Sequence, residues 1–276
     1  MNNHKEATDI LHTFINGRLR GEIEALIDFD LGQLRYDNIY GCPERRFAPD
    51  DTNLMRAIYC IVFGDVWKNL SWENSGEGKL RGDTINSSAT FFSYPWDDKF
   101  TPKWNPPIEL VEKIKEFQHT FHTIGNMMVL PDKRIGEWSI NKHRGCHDEW
   151  HDYEDRFLDA LYKVLTNHPD LDEDLKELVE ANNEDFSPFY GEEGWRKYID
   201  GNLLNDYVDS KYLPQIKSKG YTWWRGGHIN KERFFAEAHR YIDDSTKIIH
   251  NRAQRILTAL RHTITIGSVN RTVSRL

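Results

Sequence analysis

Cysteine is scarce in this chain of 276 residues, which contains only Cys42, Cys60 and Cys146. An odd number at wide spacing does not predict a disulfide framework, so we expect a reducing compartment, the cytoplasm. No apolar run approaches the roughly 20 residues that span a membrane. The first residues are polar and lack the apolar core of a secretion signal. The sequence therefore predicts a cytoplasmic protein without a membrane partner.

Several catalytic signatures are also missing. The chain contains no GxxxxGK[ST], no GxGxxG and no GxSxG motif, which argues against P-loop ATPases, Rossmann dehydrogenases and common serine hydrolases. What is present is a sufficient supply of core residues, since 38% are hydrophobic and 13% aromatic. Neither an internal repeat nor a low-complexity linker divides the chain. We therefore expect a single globular domain over 1–276.

Charge is distributed unevenly along the chain. The net charge is −8, yet residues 211–276 hold 13 Lys and Arg against four Asp and Glu, a balance of +9. The remaining 1–210 hold 23 against 40, a balance of −17. This split predicts an acidic helical body and a basic C-terminal segment that faces an anionic partner. The alternative is that the basic segment packs against the acidic body.

Apolar periodicity predicts a mostly α-helical fold with a few short strands. We expect helices over about 5–27, 52–70, 107–122, 148–166, 171–182, 193–209, 230–242 and 245–262, with Asp51 or Thr52 as the cap of the second and Pro107 in the first turn of the third. Two long irregular stretches, 71–107 and 123–146, interrupt the pattern. Long ordered loops often carry function, so the unusual residues in them are the candidate site.

The first loop contains Asp83 and Asn86, followed by the aromatic residue Tyr94. A carboxylate there could activate water or stabilise a developing cation, and the amide could orient a base or a sugar. Asp and Asn also favour caps and turns, which gives a purely structural alternative.

The second loop contains Asn126, directly before the apolar run 127–130 that we expect to enter the core. Downstream, Asn141, Lys142 and Arg144 offer hydrogen-bond donors to a phosphate or a sugar. We therefore predict a substrate-binding role for Asn126, Asn141, Arg144 and Tyr94. A hydrogen-bonded turn is the alternative.

Imidazole and thiol groups recur just after this loop, at His143, Cys146, His147 and His151. Both groups are zinc ligands, so a metal site has to be considered. The chain lacks CxxC and HExxH, and Gly145 interrupts the helical spacing. We expect a hydrogen-bonded cluster and neither a metal nor a cofactor.

The basic segment alternates cations with aromatic rings. Cations contact phosphates, and exposed rings stack on bases or wedge between them. We predict that DNA is bound by Lys217, Lys219, Trp223, Trp224, Arg225, His228, Lys231 and Arg233. The alternatives are that one of the two tryptophans anchors the segment to the core, or that the rings stack on a carbohydrate.

Four ordered motifs together resemble a known prokaryotic family: IDFD at 27–30, GDTINS at 82–87, TIGNMMVLP at 123–131 and SINKHRG at 139–145. That family is a domain of unknown function, and the resemblance spans most of 25–210. The chain is also similar to a class of bacterial antiphage DNA glycosylases, which remove glucosylated hydroxymethylcytosine from phage DNA and leave abasic sites.

A rival resemblance is to HNH-like nucleases of modification-dependent restriction systems, whose His-Thr-Leu-Gly-Asn-Leu-Thr-Leu motif is similar to residues 122–129. The usual downstream element of those nucleases is not clear in this chain. A non-enzymatic binding module in a defence complex is a third possibility.

Our leading hypothesis is a DNA glycosylase acting on double-stranded DNA that carries modified bases; its protein partners are not specified. Cleavage of an N-glycosidic bond develops oxocarbenium character, which a carboxylate stabilises. Asp83 is the first candidate for this carboxylate, and Asp28 or Asp30 is the second choice. Asn86 completes the predicted catalytic group.

Overall fold

The computed structural model describes residues 2–41, 48–67, 80–86, 107–146, 153–218 and 231–273. Its helices are α1 (Asn2–Arg18), α2 (Asn53–Phe63), α3 (Ile108–Phe121), α4 (Ile140–Cys146), α5 (Glu154–Leu165), α6 (Glu173–Ala181), α7 (Asn183–Phe186), α8 (Gly191–Gly201) and α9 (Lys231–Val273), and its strands are β1 (Leu80–Thr84) and β2 (Met127–Pro131). The predicted mostly helical fold is confirmed.

Local capping explains where several helices begin and end. Thr52 accepts a hydrogen bond from the Met55 amide at 3.2 Å, which confirms the predicted start of α2. Pro107 lies at the cap of α3 and not inside its first turn. The first helix was expected to continue to 27, but Arg20 and Gly21 have positive φ angles of 54° and 89°. Because a right-handed helix cannot pass through that conformation, α1 ends at Arg18.

The last part of the chain was expected to form two helices, and this expectation was wrong. Lys231–Val273 is one helix of 43 residues. The polar residues at 243–245, which suggested a break, are accommodated within it. Asp243 pairs with Lys113 of α3 at 2.5 Å, and Ser245 is buried. Burial of Tyr241, Ile242, Ile248 and Ile249 on either side therefore stabilises the helix where the local sequence favours an interruption.

The two strands form an antiparallel pair in which Asp83 lies opposite Met128. All of β2 is buried, so the prediction that 127–130 enters the core is confirmed. Gly82 allows the close approach of another segment, because a Cβ atom there would lie 2.0 Å from the Asp50 carbonyl oxygen. Arg252 of α9 donates to the carbonyl groups of Gly125 and Met127, and this fixes the start of β2.

Helix α9 packs into both hydrophobic clusters of the fold. One cluster contains residues of α1, α2, β2, α5, α6 and α8 together with the second half of α9. The other joins α3 and Tyr153 to the first half of α9. The described residues thus form a single compact domain. Within them, no helix combines the length and apolar character needed to cross a lipid bilayer.

Candidate functional site

A buried ionic cluster forms around Asp83, the first candidate of the sequence analysis. Its Oδ2 atom lies 3.3 Å from Nη2 of Arg144, and Nη1 of Arg144 donates to Oε2 of Glu154 at 2.7 Å. The side chains of Arg144 and Glu154 have no exposed surface, whereas the Asp83 residue keeps 9% exposure. We call Asp83, Arg144 and Glu154 the charge cluster; Asp83 is its most exposed member.

Arg144 connects three elements through this cluster. Besides the two carboxylates, on β1 and α5, it donates to the carbonyl oxygen of Thr84 and contacts the Met128 sulfur at 3.3 Å. Its guanidinium also lies 5.9 Å from the centre of the Phe157 ring. A planar guanidinium with five donors suits this bridging position. Arg144, expected to bind a substrate directly, instead lies inside the protein and holds the carboxylates.

Burial changes the proton affinity of the cluster. It raises the pKa of Glu154 to about 7, while the Arg144 charge opposes the rise and the Asp83 charge adds to it. Burial likewise raises the pKa of the neighbouring Tyr207 well above its ordinary value, with Glu154 contributing. With both carboxylates ionised the cluster carries one net negative charge. Protonation of Glu154 makes it neutral.

Asn86 and Asn126 are brought together next to the cluster. The backbone N–H of Asn86 donates to Oδ1 of Asn126 at 3.0 Å. In return, Nδ2 of Asn126 donates to the backbone carbonyl oxygens of Asn86 and Phe121. The side chain of Asn126 therefore fixes the backbone where β1 ends. The Asn86 side chain donates to the Tyr207 hydroxyl at 3.4 Å.

The reserve carboxylates, Asp28 and Asp30, belong to a separate group that contains histidines. Asp28 is exposed and lies 3.9 Å from His250. Asp30 accepts from the Gly32 amide and lies 3.5 Å from Nδ1 of His122. Burial lowers the pKa of His122, although Asp30 opposes this effect. In the ranges that the structure describes, no three His, Cys, Asp or Glu side chains are arranged to hold a metal ion.

The predicted histidine and cysteine group is only partly described. His143 is buried on α4, with Nε2 3.2 Å from Oδ2 of Asp172. Cys146 is exposed at the end of that helix, as is Asn141 nearer its start. His147 and His151 lie outside the described residues.

Most of the predicted DNA-binding residues also lie outside the described part of the chain. These are Lys219, Trp223, Trp224, Arg225 and His228, together with the side chain of Lys231. Tyr94, predicted to bind the substrate, also lies outside the described residues. Lys217 is exposed just before this gap, and Arg233 is exposed just after it and pairs with Glu237 at 2.7 Å.

Ser218, the residue before 219–230, is anchored near the charge cluster. The Ser218 amide and hydroxyl donate to the two Asp155 carboxylate oxygens at 2.7 and 2.8 Å. Tyr241, inside α9, packs against Tyr153 with the ring centres 5.9 Å apart. Ser218 and α9 therefore both contact the start of α5, where Glu154 lies.

Glu154 was missed by the sequence analysis, although the sequence does contain a signal for it. Glu154 occupies the same helical face as Phe157, Leu158 and Leu161, all of which are buried. A carboxylate on an apolar stripe requires a buried partner. That partner, Arg144, comes from another helix, and its identity could not be read from the spacing.

The comparisons with known proteins concern the same region. A family model described as a family of unknown function (DUF6994) matches residues 66–256. No curated protein and no solved structure matches the chain. The matched range contains the complete charge cluster, both strands and most of α9, and it covers more than half of the chain. The chain therefore belongs to the DUF6994 family of unknown function.

Proposed function

We propose that the protein is a DNA glycosylase that hydrolyses the N-glycosidic bond of a modified base, glucosylated hydroxymethylcytosine, in phage DNA. The observation that carries the proposal is the charge cluster. Asp83 keeps a small exposed area while Arg144, itself paired with Glu154, holds it in place; Arg144 and Glu154 are fully buried. A carboxylate fixed in this way supplies a negative charge without reorganisation, which is what an oxocarbenium-like transition state requires.

The reaction assigns a separate task to each member of the cluster. The bond between C1′ and the base breaks, water adds to C1′, and the base leaves with a proton. Asp83 stabilises the positive charge at C1′ or accepts the proton of the attacking water. Arg144 and Glu154 have no surface for a substrate to touch, so they act as positioning residues.

The target nucleotide must leave the base stack before Asp83 can reach its sugar. The segment 219–230 has the composition for this task, with Trp223 and Trp224 as wedges and Arg225 as a phosphate ligand. Ser218, the residue before this segment, is held by Asp155, which is next to Glu154 in the sequence. This attachment supports a common location for DNA binding and bond cleavage.

The test compares DNA containing glucosylated hydroxymethylcytosine with unmodified DNA of the same sequence. Each is incubated with the full chain, with and without EDTA. We expect a released modified base by mass spectrometry and strand breaks that form only after alkali treatment, both unaffected by EDTA. Direct breaks that EDTA abolishes would instead support a metal-dependent nuclease using His122. Binding without any release or breakage would indicate a binding module.

The matched variants are Asp83→Asn and Asp65→Asn, since Asp65 is an exposed carboxylate in the turn after α2. Asp83→Asn should reduce base release by about a hundredfold or more, the usual scale for a preorganised electrostatic group. Asp65→Asn should release base at the wild-type rate. Equal activity of both variants, with matching melting temperatures, would remove Asp83 from the mechanism.

A further inference from the structure

A small pocket lies between a hairpin and α6, on the acidic part of the chain. Its volume is about 240 Å³, and it is lined by Ile135, Trp138, His143, Asp174, Glu177 and Leu178. Ile135 and Trp138 pair with each other across a turn that contains Gly136, and they remain 41% and 47% exposed. The size suits one side chain, because pockets for larger ligands begin near 300 Å³.

The aromatic ring of the pocket already contacts a cation. Nζ of Lys142 lies 4.8 Å from the centre of the Trp138 ring. Tryptophan binds ammonium and guanidinium groups over its face more strongly than other aromatic side chains do. The ring thus already binds the Lys142 ammonium, which an incoming cation has to displace.

Two carboxylates complete the recognition chemistry. Asp174 and Glu177 are exposed, three residues apart on α6. Among the described residues, no cation lies within ion-pair distance of either of them. His143 is fixed by Asp172, which also caps α6 by accepting from the Leu175 amide at 2.9 Å. The pocket thus has a defined buried wall and negative charge at its exposed side.

We propose that this pocket binds a single basic side chain, preferably arginine, that a partner protein presents. A guanidinium that displaces the Lys142 ammonium can lie flat on the Trp138 ring and donate two parallel hydrogen bonds to a carboxylate. The same carboxylates repel phosphates, which excludes a nucleic-acid backbone as the occupant. This site is independent of the charge cluster and of the proposed glycosylase activity.

The experiment uses the full chain labelled with fluorotryptophan and observed by fluorine NMR. The Trp138→Phe variant identifies the Trp138 resonance. Acetyl-arginine amide is the probe, and acetyl-citrulline amide is the neutral control of nearly the same shape. We expect a saturable shift of the Trp138 resonance with a dissociation constant in the millimolar range for acetyl-arginine amide. Acetyl-citrulline amide should bind at least fivefold more weakly, because it lacks the cation–π and ion-pair contacts, which are together worth about 1 kcal/mol.

A charge-matched pair of double variants tests the role of the carboxylates. Asp174→Asn with Glu177→Gln should weaken arginine binding by at least fivefold, the expected scale of the lost ion pair. Glu192→Gln with Glu193→Gln removes two exposed carboxylates of α8 and should leave binding unchanged. Equal shifts with arginine and citrulline amides would overturn the proposal. A shift with methyl glucoside but not with arginine amide would also overturn it and indicate a carbohydrate site.

Discussion

Arg144 donates a hydrogen bond of 2.7 Å to Glu154, and neither side chain has any exposed surface. A fully buried ion pair is stable only while both partners are present, because a single buried charge has lost its hydration without compensation.

Removal of the Arg144 cation should destabilise the folded protein. We expect Arg144→Met to lower the free energy of unfolding by about 3–5 kcal/mol, because Glu154 and Asp83 would be left without their cation. The double variant Arg144→Met with Glu154→Leu should recover part of this loss. Urea unfolding followed by circular dichroism measures both variants. A double variant no more stable than Arg144→Met would contradict the account.

The Glu154 carboxyl should make stability depend on pH. Its pKa is near 4.5 in an unfolded chain and is raised to about 7 in the fold. The folded state therefore binds the proton more tightly, and this contribution is fully present below pH 4.5 and is lost as pH rises through 7. The stability of Glu154→Gln relative to wild type should improve over that window. Urea unfolding at several pH values tests this, and a difference that stays constant with pH would refute it.

Close backbone packing predicts a strong effect at Gly125. A Cβ atom there would lie 2.0 Å from the Ile249 carbonyl oxygen, so Gly125→Ala should displace α9 and cost about 1–3 kcal/mol. Gly17 is the matched control, because no atom lies within 4 Å of its added Cβ. Gly17→Ala should stabilise α1 by up to about 1 kcal/mol. Thermal unfolding measures both, and similar melting temperatures would disprove the contrast.

The contact between Asp155 and Ser218 predicts protection of the neighbouring backbone. Asp155→Ala removes two hydrogen bonds that hold Ser218, so trypsin should cleave after Lys217 several times faster. Asp159→Asn, on the same helix, disrupts only a pair with Lys163 and should leave the rate unchanged. Mass spectrometry of timed digests identifies the cleavage site. Equal rates in the two variants would mean that Asp155 does not restrain this segment.

The sequence predicts the helical class and most helix positions because these depend on local apolar spacing. It fails at α9, where burial of the flanking residues Tyr241, Ile242, Ile248 and Ile249 overrides a polar interruption. It also fails to locate β1, which contains Gly82 and two charged residues and lacks the apolar alternation of a strand. This strand exists because the buried strand β2 offers it a partner.

In the candidate site, too, the sequence identifies some residues from their local context but not the distant residues that pair with them. Asp83 and Asn86 were predicted from their position in a loop, and the structure places both beside buried polar groups. Their partners come from residues about 40 to 121 positions away in the chain. No spacing within a single sequence specifies such pairs, and this is why Arg144 was predicted to bind a substrate and Glu154 was not considered.

The place of α9 in the core has a consequence for the order in which the chain is synthesised. Ile256, Leu257 and Leu260 complete the hydrophobic cluster that α1 and α2 begin, and Arg261 pairs with Glu24, 237 residues earlier. A ribosome therefore exposes the apolar faces of the first helices long before their packing partners have been translated. Contacts of such long range also slow folding. Until α9 emerges, these apolar faces lack part of their packing partner, and surface exposed in this way is what makes partly folded chains prone to aggregate.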